Sequence, residues 1–328
     1  MKGSSVPMKT SASNRAAGEA AVGRDEGETE ELVWLLGQPH LSDYLNFVRD
    51  KVAGGEAISP RTLADEWREA NDLYYELEQS EGGIADGADC LPLDPALQAL
   101  AAEVYADPYY RDTFDTLPSE IRMVEVGRLV VSQSNIGCGF AEELKDRLGG
   151  TPAPEALFRF CLPLERTLPP VRVRKAAKDR WVFSSPSTDF RLHPAKLLEP
   201  GSIQALGGFG PAASVLALPV GFGSNFLSVV ESDGRLLLQN GYHRAYALLA
   251  AGITHAPAIV QTVTRLDELR LAAGEDVCED PAFYFRAARP PLMKDFLDPR
   301  LAKRLRAKKM ETTVEIEIRT RSSTGTLL

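Results

Sequence analysis

One short stretch strongly constrains the fold of this chain. In it an apolar run is followed by a polar turn and then by residues with the spacing of a helix. The run is residues 236–238, the turn is Asn240-Gly241, and apolar residues then recur at helical spacing until Gly252. A second apolar run follows at residues 257–260. We therefore predict the order strand, tight turn, helix and strand. The residues after Gly241 then begin a helix, where free backbone N–H groups and the positive end of the helix dipole favour an anion.

The side chains at this turn suit a phosphate group. His243 and Arg244 lie beside the free N–H groups, and the Arg244 guanidinium is a forked donor that matches phosphate oxygens. Gly241 lets the backbone approach a ligand closely. In the alternative interpretation His243 and Arg244 cap the preceding strand or pair with a carboxylate. We predict a nucleotide- or phosphate-binding site made of Gly241, Tyr242, His243 and Arg244.

The segment resembles the ParB/sulfiredoxin-like superfamily, in which a Gly-x-His-Arg or Gly-Glu-Arg-Arg signature opens a helix and holds nucleotide phosphates. The resemblance covers residues 236–261 and extends more weakly upstream to Val124-Glu125-Val126, Gln133 and residues 141–148. It implies ATP or CTP bound with Mg²⁺, in a nucleotide-dependent switch or in a phosphotransfer or NTP-hydrolysing enzyme. Sulfiredoxin has its reactive cysteine directly before the His-Arg pair. Tyr242 stands at that position here, so sulfiredoxin chemistry is excluded.

Two further sets of residues are candidates for the same site. In Gly221-Phe222-Gly223-Ser224-Asn225 two glycines allow close backbone approach, although a looped strand start gives the same pattern. Carboxylates near the turn would serve as metal-linked or general-base groups, as the resemblance to kinase members of the superfamily implies, while an exposed carboxylate is the ordinary alternative. The phosphate-binding candidates are Gly223, Ser224 and Asn225, and the catalytic candidates of this kind are Glu125 and Glu199. Asp189 is a further catalytic candidate, because it stands in a polar cluster that follows the strand predicted at residues 181–183, although such clusters are first of all loops.

Composition excludes several other classes of protein. The 328 residues are 44% hydrophobic and 25% charged, as in an ordinary globular protein, and no apolar run is long enough to span a membrane. The net charge of −9 argues against broad electrostatic binding to nucleic acid. Four separated cysteines and four separated histidines form no metal-binding motif, so we expect no transition metal. The cysteines are typical of a reduced, cytoplasmic protein.

The fold class that these patterns predict is α+β. Helical spacing dominates early in the chain, including residues 30–52 and a helix that starts at Pro60 with Ser59 as its cap. Short β-branched runs with intervening helices, such as residues 140–148 and 194–206, dominate after residue 123. The predicted units are a disordered tail (1–28), a helical subdomain (29–120), a ParB/sulfiredoxin-like mixed α/β domain with a small sheet (121–265), and C-terminal helices with a basic segment and a terminal strand (266–328).

Two segments near the end of the chain give predictions about the molecules that this protein binds. Residues 300–309 place basic side chains on a helical period, which predicts a basic amphipathic helix. Such a helix contacts nucleic acid, a membrane surface or an acidic partner, or it is simply a solvated face. Residues 312–320 alternate apolar and charged side chains and predict a strand that completes its own sheet or pairs with a second subunit. In the second case the protein forms a homo-oligomer or another protein assembly. The alternative to a nucleotide-binding protein is a non-catalytic binding or assembly protein that uses the fold as a scaffold.

Overall fold

The structure is a computed structural model that describes residues 28–165, 167–187, 189–199 and 213–322. The predicted disordered tail, residues 1–28, lies outside the described residues except for its last position. Helices and strands are mixed along the chain, which confirms the α+β class. The helices are α1 (Leu41–Lys51), α2 (Pro60–Glu81), α3 (Gln98–Ala106), α4 (Pro108–Phe114), α5 (Cys138–Leu148), α6 (Pro154–Cys161), α7 (Tyr242–Ala250), α8 (Leu266–Ala272), α9 (Glu275–Glu279) and α10 (Pro281–Phe285). The strands are β1 (Thr29–Leu35), β2 (Cys90–Pro92), β3 (Ser119–Glu125), β4 (Asn135–Gly137), β5 (Arg172–Ala177), β6 (Arg180–Ser185), β7 (Phe190–Leu192), β8 (Lys196–Leu198), β9 (Val215–Ala217), β10 (Val220–Phe222), β11 (Ser228–Ser232), β12 (Arg235–Asn240), β13 (His255–Thr262), β14 (Ala302–Lys308) and β15 (Thr312–Glu317).

The central sheet has five strands in the order β12-β11-β13-β3-β2. Strands β11 and β12 form a hairpin whose two tip residues, Asp233 and Gly234, have φ angles of 51° and 76°. Such positive φ angles are those of the primed turns that join twisted strands. Helix α7 then leads from β12 to β13, which runs parallel to β11. The order strand, turn, helix and strand predicted for residues 236–261 is therefore confirmed.

Strand β1 pairs antiparallel with β14 along all seven of its residues, and on its other side with β4. The helix predicted for residues 30–52 is thus wrong at its beginning and correct only for α1. The reason is burial on both faces of the strand. Leu32 and Trp34 pack into one hydrophobic core while Val33 and Leu35 pack into another. A strand buried on both faces shows a continuous apolar run instead of alternation.

The basic segment 300–309 is also a strand, β14, and not the predicted amphipathic helix. Leu305 and Ala307 alternate with exposed residues and are buried against β1 and α1. Four basic side chains form ion pairs: Lys303 with Glu66 (2.5 Å), Arg304 with Glu31 (3.2 Å), Lys309 with Glu28 (2.8 Å) and Arg300 with Asp298 (2.7 Å). Because these charges are paired and the helix is not formed, we do not propose a nucleic-acid contact here.

Residues 29–120 contain α1 to α4, but they also contribute β1 and β2 to two sheets, so the segment is not purely helical. Helix α2 begins as predicted, since Ser59 Oγ accepts a hydrogen bond from the Arg61 N–H at 3.3 Å and Pro60 is the first helical residue. Among the helices of the described ranges, none combines the length and apolar content that crossing a lipid bilayer would need.

The helix predicted at residues 194–206 and the strand predicted at residues 312–320 have different outcomes. Of residues 194–206, predicted as helix, Lys196–Leu198 form β8 and pair with β9, and residues 200–206 lie outside the described part. The predicted terminal strand is confirmed as β15, which pairs with β6 of its own chain. Val314 and Ile316 on one face of β15 are half-buried, whereas Ile318 is 58% exposed beyond the end of the strand.

A buried ion pair ties α2 to the C-terminal part of the chain. The Arg289 guanidinium donates two hydrogen bonds to the Asp295 carboxylate, at 2.6 and 2.9 Å, and a third to Glu81 at 2.9 Å. The same carboxylate accepts from the Tyr74 hydroxyl at 3.2 Å and from the Leu292 N–H at 2.8 Å. Since the Arg289 and Asp295 side chains are 1% and 2% exposed, each charge depends on the other.

We expect Asp295→Asn to lower the free energy of unfolding by about 3 kcal/mol, because it removes the buried partner of the Arg289 charge and leaves the partly exposed Glu81 as its remaining carboxylate. Urea denaturation measures this change. The matched control is Glu317→Gln, which removes one partner of an exposed ion pair with Arg319 and should leave the stability close to that of the wild type. Equal losses in the two variants would contradict the account.

Candidate functional site

Helix α7 begins where Gly241 adopts a left-handed backbone with φ of 97°. A Cβ atom here would lie 2.7 Å from Leu227 Cδ1 and 3.3 Å from Leu227 Cα. Both the conformation and the packing therefore require glycine. The group that approaches this glycine closely in the structure is Leu227.

The first turn of α7 has backbone donors without acceptors. The Ala245 N–H makes the first intrahelical hydrogen bond, to Gly241 O at 2.8 Å, and no side chain caps the helix. Within the described ranges, the backbone N–H groups of Tyr242, His243 and Arg244 consequently have no hydrogen-bond partner. Three such donors at the positive end of a nine-residue helix form a local site for an anion.

The Tyr242 side chain holds the start of α7 in place. Its hydroxyl accepts hydrogen bonds from the N–H groups of Ser132 at 3.1 Å and Gln133 at 3.3 Å, and it donates to Leu238 O at 2.8 Å. The residue is 6% exposed. Tyr242, predicted as a phosphate-binding residue, thus retains only its backbone N–H for a ligand.

His243 is a neutral donor at physiological pH. Its Nε2 accepts a hydrogen bond from the Gly137 N–H at 3.1 Å, so the proton of the neutral ring lies on Nδ1. Burial, and secondarily the charge of Arg244, lowers the pKa of His243 to about 4. Phe140 lies edge-on to the imidazole with ring centroids 5.2 Å apart.

Arg244 brings two of the predicted motifs together. Its guanidinium donates to Asn225 O at 2.6 Å and to Asn225 Oδ1 at 2.7 Å, and it lies over the Phe160 ring at 6.0 Å. The residue is 7% exposed, and burial lowers the pKa of Arg244. Among the described residues no carboxylate forms an ion pair with it. Within the described parts of the chain, this buried positive charge is therefore compensated by the oxygen dipoles of Asn225 and the face of the Phe160 ring and not by an opposite charge.

Asp189 anchors the loop that presents Asn225. Its carboxylate accepts a hydrogen bond from the Gly223 N–H at 2.8 Å and pairs with Arg191. A Cβ at Gly223 would lie 2.7 Å from the Arg191 guanidinium and 2.9 Å from the Asp189 carboxylate, so a larger residue here would displace the ends of these two side chains. Ser224 lies between the two contact points and is half-buried. Three predicted residues, Asp189, Gly223 and Asn225, thus connect to Arg244 in one chain of contacts.

A second helix begins next to the same turn. Helix α5 starts at Cys138, directly after the Gly137 N–H that binds His243, and no side chain caps it. Phe140 in its first turn is 49% exposed. The positive ends of α5 and α7 therefore lie one imidazole ring apart, with an exposed aromatic ring beside them.

The other predicted carboxylates lie elsewhere. Glu125 pairs with Arg128 at 3.1 Å and accepts from the Asp89 N–H at 3.3 Å, at the end of β3. Glu199 is exposed after β8, and no described contact joins it to α7. Within the described parts of the chain, no group of three or more His, Cys, Asp or Glu side chains is arranged to hold a metal ion.

Sequence reasoning missed the residues that face α7 from other elements. Gly137 and Phe140 contact His243, and Phe160 lies under Arg244. A Gly-Cys-Gly-Phe start to α5 was the available signal, because glycines at a helix start leave its backbone donors open. For Phe160 the sequence holds no signal, since it reaches the site only through the packing of α6.

The family resemblance rests on the residues of this chain alone. No protein-family model matches it, and comparisons with curated proteins and with solved structures give no match. Membership of the ParB/sulfiredoxin-like superfamily therefore stays a prediction, and function must be argued from the geometry of the site.

We expect His243→Gln to remove a pH dependence of stability. The folded-state pKa of about 4 lies below the ordinary value of 6.5, so the unfolded chain binds more protons between these two values. This stabilisation is complete above pH 6.5 and is lost as the pH falls toward 4. The loss is roughly 2–3 kcal/mol, reduced because the ring is only half-buried. Gln offers an oxygen to the Gly137 N–H but does not titrate.

Urea unfolding across this pH range measures the effect as the difference between the wild type and His243→Gln. Carboxylates that titrate in both proteins cancel in that difference. His193→Gln, a change outside the first turn of α7, is the matched control and should follow the wild type. A constant difference between wild type and His243→Gln at all pH values would contradict the buried, neutral imidazole.

Proposed function

We propose that this protein binds a nucleotide, ATP or CTP, with its phosphates at the first turn of α7. The observation that carries the proposal is Arg244, which is buried without a carboxylate partner among the described residues. Three backbone N–H groups of the same turn have no acceptors in the described structure. A phosphate group would satisfy the charge and the donors together.

The other two buried arginines of the described chain show the contrast. Arg289 pairs with Asp295 at 2.6 Å, and Arg235 pairs with Asp86 at 2.5 Å. Among the described residues, Arg244 donates its hydrogen bonds to Asn225 O and Asn225 Oδ1 and pairs with no carboxylate. Burying a guanidinium without an opposite charge costs several kcal/mol, and a bound phosphate would remove much of that cost.

A nucleotide is favoured over inorganic phosphate by the ring of Phe140. This side chain is 49% exposed and lies beside His243, so it offers a face on which a base can stack. A phosphate at α7 and a base on α5 would both lie within the reach of one nucleotide. The ParB/sulfiredoxin-like resemblance supports the same ligand class.

A nucleotide normally brings Mg²⁺, which binds phosphate oxygens and one or two carboxylates. Of the three predicted carboxylates, Asp189 is the one that lies near the site, through Gly223 and Asn225. Its carboxylate already accepts from Gly223 and pairs with Arg191. We therefore propose that phosphate oxygens are the main ligands of Mg²⁺ here.

Within the superfamily activities, we favour a nucleotide-dependent switch over a phosphotransfer or NTP-hydrolysing enzyme. The two groups near the turn that could accept a proton are both engaged by backbone donors, His243 by Gly137 and Asp189 by Gly223. A base that is already hydrogen-bonded in this way is poorly placed to activate water.

The second candidate is a non-catalytic binding or assembly protein that keeps the fold as a scaffold. One observation favours it: the two terminal nitrogens of Arg244 already bind Asn225, as in an arginine that only holds a loop. The two proposals differ in a single measurable property, which is affinity for nucleotides.

We expect Arg244→Gln to weaken nucleotide binding by roughly 1.5–3 kcal/mol, the scale of a hydrogen bond to a charged group. Isothermal titration calorimetry with ATP, CTP and GTP, each with Mg²⁺, measures it. The matched control is Arg159→Gln, which removes an exposed charge from neighbouring α6 and should leave binding unchanged. Circular dichroism and thermal melting show whether each variant is folded.

Phe140→Ala then separates a nucleotide site from a phosphate site. This variant should weaken ATP or CTP binding and leave pyrophosphate binding as in the wild type, because only the base stacks on the ring. Folded wild-type protein that gives no heat with any of the three nucleotides would exclude the proposal and leave the scaffold role.

A further inference from the structure

One edge of the C-terminal sheet is exposed along its whole length. The sheet has the order β15-β6-β5, and β5 pairs only with β6 among the described strands. Every residue of β5 is exposed. A strand at a sheet edge presents a row of unpaired N–H and C=O groups, which is a template for another extended chain.

The two faces of this edge differ: one carries Arg172 and Arg174, and the other carries Val173 and Lys175. Arg172 and Arg174 alternate with Val173 on β5, so they point to the opposite side of the sheet. Val173, 58% exposed, lies opposite Phe183, and Lys175 lies over the neighbouring Trp181 ring at 5.1 Å. Among the described residues Arg174 has no carboxylate partner.

The opposite edge of the same sheet shows which strand fits such a surface. There β15 pairs with β6, and its apolar Val314 and Ile316 alternate with Glu315 and Glu317. Arg180 of β6 binds Glu315 at 2.7 Å. Arg172 also reaches across the sheet to Glu311 at 3.0 Å. The sheet therefore already holds one strand of alternating acidic and apolar residues.

We propose that the β5 edge binds an extended segment of another protein in which acidic and β-branched apolar residues alternate, and that this segment adds to the sheet as a fourth strand. Its carboxylates would lie on the Arg172 and Arg174 side and its apolar residues on the Val173 side. Two copies of β5 cannot pair well with each other, because like charges would lie opposite one another. Arg172 and Arg174, which disfavour this self-association, favour pairing with an acidic strand instead.

The test uses the full chain and a fluorescent peptide with the sequence of residues 311–320, which has the required alternation. We expect fluorescence anisotropy to show binding that weakens with salt and that is at least tenfold weaker in Arg172→Glu/Arg174→Glu. The matched control, Lys196→Glu/Arg270→Glu, changes the net charge equally at exposed positions outside this sheet and should bind like the wild type. Thermal melting confirms that both variants are folded.

Two further measurements test the added strand itself. Peptide binding should slow hydrogen exchange of the outward-facing amides of β5 and leave exchange in β15 unchanged, and a peptide methylated on the amide nitrogens of its inner edge should not bind. The proposal is overturned if the wild type does not bind, if both double variants bind equally, or if β15 loses protection because the peptide has replaced it. Self-association of the chain through β5, seen by light scattering and unaffected by the peptide, would also overturn it.

Discussion

The pairing of β1 with β14 is the constraint on which the rest of the structure depends. It joins the first strand of the described chain to the last but one, and because β1 is buried on both faces, β1 is shared by two hydrophobic cores. On its free side β1 holds β4, and α5 follows β4 directly. The Gly137 N–H that binds His243 lies at this junction. The candidate site thus lies where an element fixed by β1 meets the helix that leaves the central sheet.

Charge compensation distinguishes this site from the rest of the molecule. Arg289 and Arg235 bind carboxylates, and the pairs with Glu81 and Asp86 hold together segments that are distant in sequence. Arg244 and its neighbouring N–H groups lack such a partner in the described structure, while His243 is kept neutral by burial. A buried positive charge without an opposite charge lowers the stability of the fold. It is typical of a site where a ligand supplies the opposite charge.

Local patterns predicted α7, the Ser59 cap and the meeting of Asn225 with Arg244 within one region. They failed where tertiary burial decides the outcome. Residues 29–35 and 300–309 have apolar and basic spacings that also suit a helix, and only their mutual pairing makes them strands. Phe140 and Phe160 could not be assigned to the site because their contacts depend on how α5 and α6 pack. Glu125 was wrongly assigned to the site, because its carboxylate pairs with Arg128.

The central claim is that the first turn of α7 receives a phosphate group. It is tested most directly by titrating ATP with Mg²⁺ into isotope-labelled protein and following backbone amide resonances by NMR. We predict that the amides of Tyr242, His243 and Arg244 shift first and most, because their N–H groups gain an acceptor, and that the amides at the start of α5 follow. Binding that shifts other amides and leaves these three unchanged would contradict the claim.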